Sequence, residues 1–134
     1  MRKQYHFRLS ERGVLAWDVD RLVALSAGLP RINVPLSEIR ELDEPFWFSG
    51  PGDIPTCRKV VAHAQLMRDA DLSFPIILSA DGRVMDGMHR ICRAVLDRLE
   101  TITAVRFDRD PEPHHIGVNP DDLPYDDKLL PHAT

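Results

Sequence analysis

The chain is 134 residues long, with 43% hydrophobic and 28% charged residues and a formal net charge of -4. That length suits one ordinary domain with a single core, the composition excludes a disordered chain, and no apolar run approaches the roughly 20 residues that a membrane-spanning helix needs. The acidic balance argues against broad binding to nucleic acid, which depends on neutralising many phosphates with Lys and Arg. The basic start Met1-Arg2-Lys3 is followed by no apolar stretch of the kind a secretory signal carries, so a cytoplasmic location and no membrane partner are expected. Cys57 and Cys92 form no CxxC pair and read as free, buried thiols.

Residues 5–9 alternate weakly and residues 14–17 follow a Glu11-Arg12-Gly13 turn, which reads as a hairpin. Asp18 can cap a short helix carrying Leu22, Val23, Leu25 and Ser26, which Gly28 and Pro30 bring to an end. Residues 31–36 read as a strand, then Ser37-Glu38-Ile39 turns the chain into a Pro- and Gly-rich loop over 41–52. Thr56 is a good N-cap for a helix to about residue 71, and Cys57, Val60, Val61, Ala64 and Met67 recur at helical spacing, which predicts one core-facing stripe.

The stretch after residue 75 is the most informative. Pro75-Ile76-Ile77-Leu78 and Arg83-Val84-Met85-Asp86 flank Asp81-Gly82, and an Asp-Gly pair between apolar runs is a strong hairpin signal because the tight turn needs positive φ. Helix follows directly after Gly87, with Ile91, Cys92, Val95, Leu96 and Leu99 as its apolar stripe. Residues 101–107 are rich in β-branched types and read as a closing strand, and five prolines beyond them predict an extended, acidic tail. The expected architecture is α/β in the α+β sense, a small mixed sheet with packed helices. It forms a single domain, with a 1–30 extension, a 31–107 core and a 108–134 tail.

A strand that ends in Asp-Gly and runs at once into a helix gathers unpaired backbone N–H groups around one point, which is how helix N-termini bind anions. Asp86, Gly87, Met88, His89 and Arg90 form that junction. Gly87 would let a phosphate approach the backbone, while His89 and Arg90 would supply donors. The plain alternative makes Asp86 a helix cap, Gly87 a hairpin exit, and His89 and Arg90 solvated. Phe46-Trp47-Phe48 is either a lid for a stacked base or, preferred at about two to one, a plug at the edge of the core. His63 and the pair His114-His115 lack partners at the spacing of a structural zinc site, and no side chain is assigned as a dedicated metal ligand.

The run Val84-Met85-Asp86-Gly87-Met88-His89-Arg90, with the hairpin before it and Val34-Pro35-Leu36-Ser37-Glu38-Ile39 further upstream, resembles the ParB/sulfiredoxin superfamily over about residues 31–107. The resemblance implies that fold and a nucleotide-phosphate cradle at Asp86, Gly87, Met88, His89 and Arg90. The sulfiredoxin branch places its catalytic cysteine where this chain has Met88, and a thioether is no such nucleophile. The chromosome-partitioning branch carries a downstream DNA reader, for which nothing after Phe107 is suited. The free-serine kinase branch differs from this chain only at Met88 within the motif and uses an acid after the first strand as general base.

On that comparison Glu41 and Glu44, with Asp43 between, are candidates for a catalytic base or Mg²⁺ ligand, and His89 for stabilising transferred charge. The implied cofactors are ATP or ADP with Mg²⁺, and the implied reaction is phosphoryl transfer to a small hydroxyl-bearing molecule. A non-catalytic nucleotide-sensing or protein-interaction module is the first alternative, and a ParB-like nuclease, disfavoured by the acidic balance, is the second. The acidic tail suggests a homo-oligomer in which it wraps a neighbouring subunit.

Overall fold

The computed structural model describes residues 3–125. Residues 126–134, the last part of the acidic tail, lie outside the described residues, and so does the tail's suggested reach to a neighbouring subunit. Two sheets and three α-helices form an α+β fold. Strands β1 (Tyr5–Ser10) and β2 (Gly13–Asp18) make the expected hairpin, in register from Tyr5 opposite Asp18 to Ser10 opposite Gly13. Helix α1 (Val19–Ser26) starts where Asp18 accepts a hydrogen bond from the Asp20 amide at 3.0 Å, which satisfies one of the orphan donors of the first turn. Strand β3 (Ile32–Pro35) follows, then 3-10 turns at Leu36–Glu38 and Arg40–Asp43 carry the chain into the loop.

Helix α2 (Cys57–Asp69) is capped by Thr56, as its sequence predicts, and ends two residues early. Strands β4 (Ile76–Leu78) and β5 (Val84–Asp86) pair antiparallel around Asp81-Gly82, with Gly82 at φ +84°. Helix α3 (Met88–Leu96) comes next, then strand β6 (Thr101–Arg106). The expected closing strand does not sit at an edge. The order is β3-β6-β4-β5, so β6 lies inside the sheet, antiparallel to β3 and parallel to β4. Strand β7 (His115–Ile116) adds to β2 in a separate sheet ordered β1-β2-β7.

Strand periodicity sorts the central sheet into two buried faces. Ile76, Leu78, Val84, Ile102 and Ala104 face one way, onto Met88, Ile91 and Ala94 of α3. Ile77, Met85, Val105 and Phe107 face the other way, onto Leu15 and Trp17 of β2 and Leu22 of α1. The β2–α1 stretch is therefore no appendage, since Leu15, Trp17, Leu22 and Leu29 wall one face of the core. The tail is tied in as well: Trp17 Nε1 donates to the Pro111 carbonyl at 2.8 Å, and the Asp18 amide donates to His114 Nδ1 at 2.9 Å.

Three burial expectations need correction. No residue of α2 is buried, and Val60 and Val61 keep 49% and 67% of their surface. The helix meets the rest of the protein mainly through α3, so its apolar stripe lies on a surface. Cys57 is accordingly exposed and Cys92 half-buried, the latter with its thiol pushed up by burial. In α3 the buried stripe is Met88, Ile91 and Ala94, while Val95, Leu96 and Leu99 are exposed. The start of that helix is fixed by Gly87 and the sheet edge beneath it, which rotates the buried face by one residue from the richest apolar stripe.

These placements predict opposite responses to substitution in urea denaturation. Ile91→Ala, which empties a fully buried position, lowers the unfolding free energy by about 2–5 kcal/mol. Val61→Ser on α2 changes it by under about 0.5 kcal/mol, and a loss of several times that would mean the α2 stripe is covered.

Candidate functional site

The β4–β5 hairpin delivers the chain to a sharp junction at Gly87, which takes the left-handed conformation at φ +109°. A Cβ there would stand 2.6 Å from Ile76 Cγ2 and 3.0 Å from Arg90 Nη2, so both conformation and space demand glycine. α3 begins at the next residue with no side-chain cap, and its first-turn N–H groups have no side-chain acceptor. A cleft of about 720 Å³ opens at this point, lined by Asp86, Gly87, Met88, His89 and Arg90 together. The five residues singled out by sequence thus share one concavity.

Their individual roles are not all those expected. Arg90 is committed to the fold: Nη2 pairs with Asp86 at 2.7 Å, and Nη1 donates to the carbonyls of Phe74 at 3.1 Å and Pro75 at 2.9 Å. It staples the segment entering β4 to the end of β5, and its charge is balanced by Asp86. Met88 sends its side chain into the main core, at 6% exposure.

His89 finds a partner that sequence reasoning set aside. Its Nε2 lies 2.8 Å from His63 Nδ1 of α2, with the two rings 19° from coplanar. Trp47 lies over both, its ring 4.2 Å from that of His63 and 4.5 Å from that of His89, each within 18° of parallel. One nitrogen of the hydrogen-bonded pair carries a proton and the other accepts it, so both rings cannot be protonated on those atoms. Burial, then the neighbouring His63, pull the His89 pKa down to about 4, and burial lowers that of His63. The pair is uncharged at neutral pH, so His89 brings hydrogen-bonding capacity and no positive charge. Phe46 and Trp47 pack against the main core cluster, as the plug reading requires, and Trp47 roofs the histidines as well.

Glu41 and Glu44 are not brought to this cleft. They line a separate cleft of about 1070 Å³, together with Arg83 and Val84 at the start of β5. Glu41 is buried and accepts from the Val84 amide at 2.7 Å, with Arg83 Nε at 3.4 Å. Glu44 takes both terminal nitrogens of Arg83, at 2.9 and 2.7 Å, and that bond holds its carboxyl below the usual range. Both acids anchor the strand that leads to Asp86. The acids that do line the α3 cleft are Asp20, Asp69, Asp71 and Asp86, of which only Asp86 was singled out. Asp69 and Asp71 could have drawn notice from their position just before the hairpin. His63 carried no signal, because its partner lies 26 residues away.

Gly87→Ala is expected to destabilise the protein by about 2–4 kcal/mol, through a left-handed non-glycine residue and a methyl forced against Ile76. The neutral histidines also set a pH dependence. Burial, then Arg8, hold His6 near pKa 4 as well. Unfolded histidines bind protons below about pH 6.5, whereas His6 and His89 resist until about 4. Stability is therefore complete above pH 6.5 and falls as the pH drops from 6.5 toward 4. The share of His6 is on the order of 3 kcal/mol, and that of the more exposed His89 is smaller. Urea midpoints taken across this range should fall, and a flat profile would rule out neutral buried imidazoles.

Set against protein-family models, curated proteins and solved structures, the chain finds a match in none of the three.

Proposed function

We propose that the cleft at the head of α3 binds the phosphates of ATP or ADP, in a fold of ParB/sulfiredoxin type, and that the chain works as a nucleotide-sensing module and not as a kinase. The observation that carries this reading is the N-terminus of α3, which starts from a left-handed glycine with no side-chain cap and lines the cleft. Binding is preferred to phosphoryl transfer because Glu41 and Glu44, the candidate bases, are tied to Arg83 and Val84 on another surface.

The acidic lining bears on Mg²⁺. Asp20, Asp69, Asp71 and Asp86 face only Arg31 and Arg90 among the charged residues of this cleft, so a bare polyphosphate meets net repulsion there. Mg²⁺ is commonly held by one or two carboxylates together with phosphate oxygens, and Asp71 or Asp86 beside the helix head fits that donor set. No cluster of three or more metal-binding side chains occurs among the described residues. The same carboxylates oppose a nucleic-acid backbone and so weigh against the nuclease reading. No helix among the described residues is long and apolar enough to cross a membrane.

One observation favours phosphoryl transfer as a second reading. The neutral His63–His89 pair lies beside the helix head and has a lone pair for the proton of an attacking hydroxyl. Thermal-shift measurements with ATP, ADP and inorganic phosphate, with and without Mg²⁺, separate the outcomes. The melting temperature should rise with the magnesium nucleotides, and chromatography should recover them unchanged in the presence of hydroxyl-bearing acceptors. Release of ADP with a phosphorylated acceptor, lost in His89→Gln, would establish the transferase instead. A melting curve indifferent to every nucleotide and to phosphate ends both readings.

A further inference from the structure

An edge strand offers its outward N–H and C=O groups as a template for another chain, and proteins blunt such edges by keeping them short or with proline, bulges or charge. Among the described residues the edges are β1 and β7 of one sheet and β3 and β5 of the other. β7 has two residues, β3 has four and ends on Pro35, and β5 has three with a shift in register. β1 carries none of these protections: it has six residues, no proline and an unbroken register with β2. Its one arginine, Arg8, is turned back over the Trp17 ring at 5.4 Å.

The hydrogen bonds around the sheet show which groups of β1 face outward. In an antiparallel pair, alternate residues turn their N–H and C=O toward the partner strand. The Gln4 carbonyl accepts from the Val19 amide at 3.1 Å, which extends the Tyr5–Asp18 register by one step and assigns His6, Arg8 and Ser10 to the β2 side. β2 agrees: the carbonyls of Val14 and Ala16 accept from Gly117 and His114 on the β7 side, so Leu15 and Trp17 are the residues that turn to Arg8 and His6. Phe7 and Leu9 therefore direct their two N–H and two C=O groups away from β2. Both residues are exposed, Phe7 at 39% and Leu9 at 83%, so another chain can reach them.

This edge borders the larger cleft, about 1070 Å³, which Tyr5, His6, Phe7, Arg8 and Leu9 line without a gap and which the loop over residues 40–53 lines as well. The charges of the cleft are nearly balanced. Glu41 and Glu44 hold Arg83, and Arg8 reaches Asp110. Arg40 donates to the Asp81 carbonyl at 3.3 Å, the Asp81 carboxylate takes the Ser79 hydroxyl, and Asp53 takes the Gly50 amide. Arg40 and Asp53 remain without an ion pair and offset each other, so the cleft favours an occupant of little net charge. Pro45, Phe46 and Pro51 add apolar surface beside Phe7 and Leu9.

We propose that this cleft is a docking site for an extended peptide segment of another protein, which adds as a strand to β1. The segment is proline-free, nearly neutral and apolar at alternate positions. Phe7 and Leu9 supply four main-chain hydrogen bonds, and the apolar side chains that share their face of the sheet rest against them. The 40–53 loop stands where the second strand of a docking hairpin would lie, so a single extended segment fits better than the hairpin of a second copy.

The test is amide hydrogen exchange, followed by NMR on the full chain, with a blocked hexapeptide of alternating valine and threonine that carries a terminal lysine for solubility. In the free protein the Phe7 and Leu9 amides should exchange fast, and saturating peptide should slow both by about tenfold or more, while His6 and Arg8, already bonded to β2, change little. The same peptide N-methylated at every residue should have no effect. Leu9→Pro removes an N–H that β2 does not use, and should abolish the slowing with the fold intact. If that variant fails to fold, the N-methylated peptide still decides. Slowing by the N-methylated peptide, or none by the parent peptide at millimolar concentration, would overturn the proposal. So would protection of Phe7 and Leu9 in the free protein: with a doubled mass in sedimentation it would put a second copy on the edge, and in a monomer it would mean that the chain covers its own edge. None of these results depends on whether nucleotides bind at α3.

Discussion

Strand β4 has no solvent face, and the rest of the fold follows from that. Ile76, Ile77 and Leu78 keep at most 3% of their surface, although successive residues point to opposite sides of the sheet. A strand in that position needs a layer on each side. α3 provides one, and the N-terminal hairpin with α1 provides the other. The same demand places β6 beside β4, because a parallel neighbour extends the two-faced interior where an edge would have exposed it. At about 25 cal/mol per Å² of apolar surface, these two interfaces outweigh any polar contact in the molecule.

Much of this was legible in the sequence. Both hairpins, the Asp18 and Thr56 caps and the strand–glycine–helix junction rest on local chemistry, namely turn glycines, short polar caps and apolar runs, and each occurs within two residues of its expected place. What failed depends on the third dimension. The stripe of Cys57, Val60 and Val61 has ordinary helical spacing, and nothing local reveals that the protein leaves it uncovered. Residues 1–30 read as an extension because their partners Ile77, Met85 and Val105 lie more than fifty residues away.

The candidate site divides along the same line. Asp86, Gly87, Met88, His89 and Arg90 come together because they are neighbours in sequence, so a motif found them. Their roles were set by residues from elsewhere. Arg90 reads as a phosphate donor until the carbonyls of Phe74 and Pro75 are seen to claim it, and His89 reads as a cation until His63 and Trp47 enclose it. Glu41 and Glu44 were grouped with the motif only by the family resemblance. The hydrogen bonds to Val84 and Arg83 show what a carboxylate in that loop does for the fold, whatever else it does.

Those same bonds place two clefts at opposite ends of one short strand. Val84 opens β5 on the wall shared with Glu41, and Asp86 closes it at the head of α3. Two residues of extended chain span only about 7 Å, so the two surfaces are neighbours through backbone alone. Each end is pinned by charge: Arg83 by Glu41 and Glu44 at one, Asp86 by Arg90 at the other. Between the pins, Met85 packs into the second core, and the β4–β5 pairing shifts register opposite it. A displacement along β5 would have to break an ion pair at one end or drive Gly87 against Ile76 at the other, where no spare space exists. The strand therefore sets the spacing between the head of α3 and the Glu41 wall.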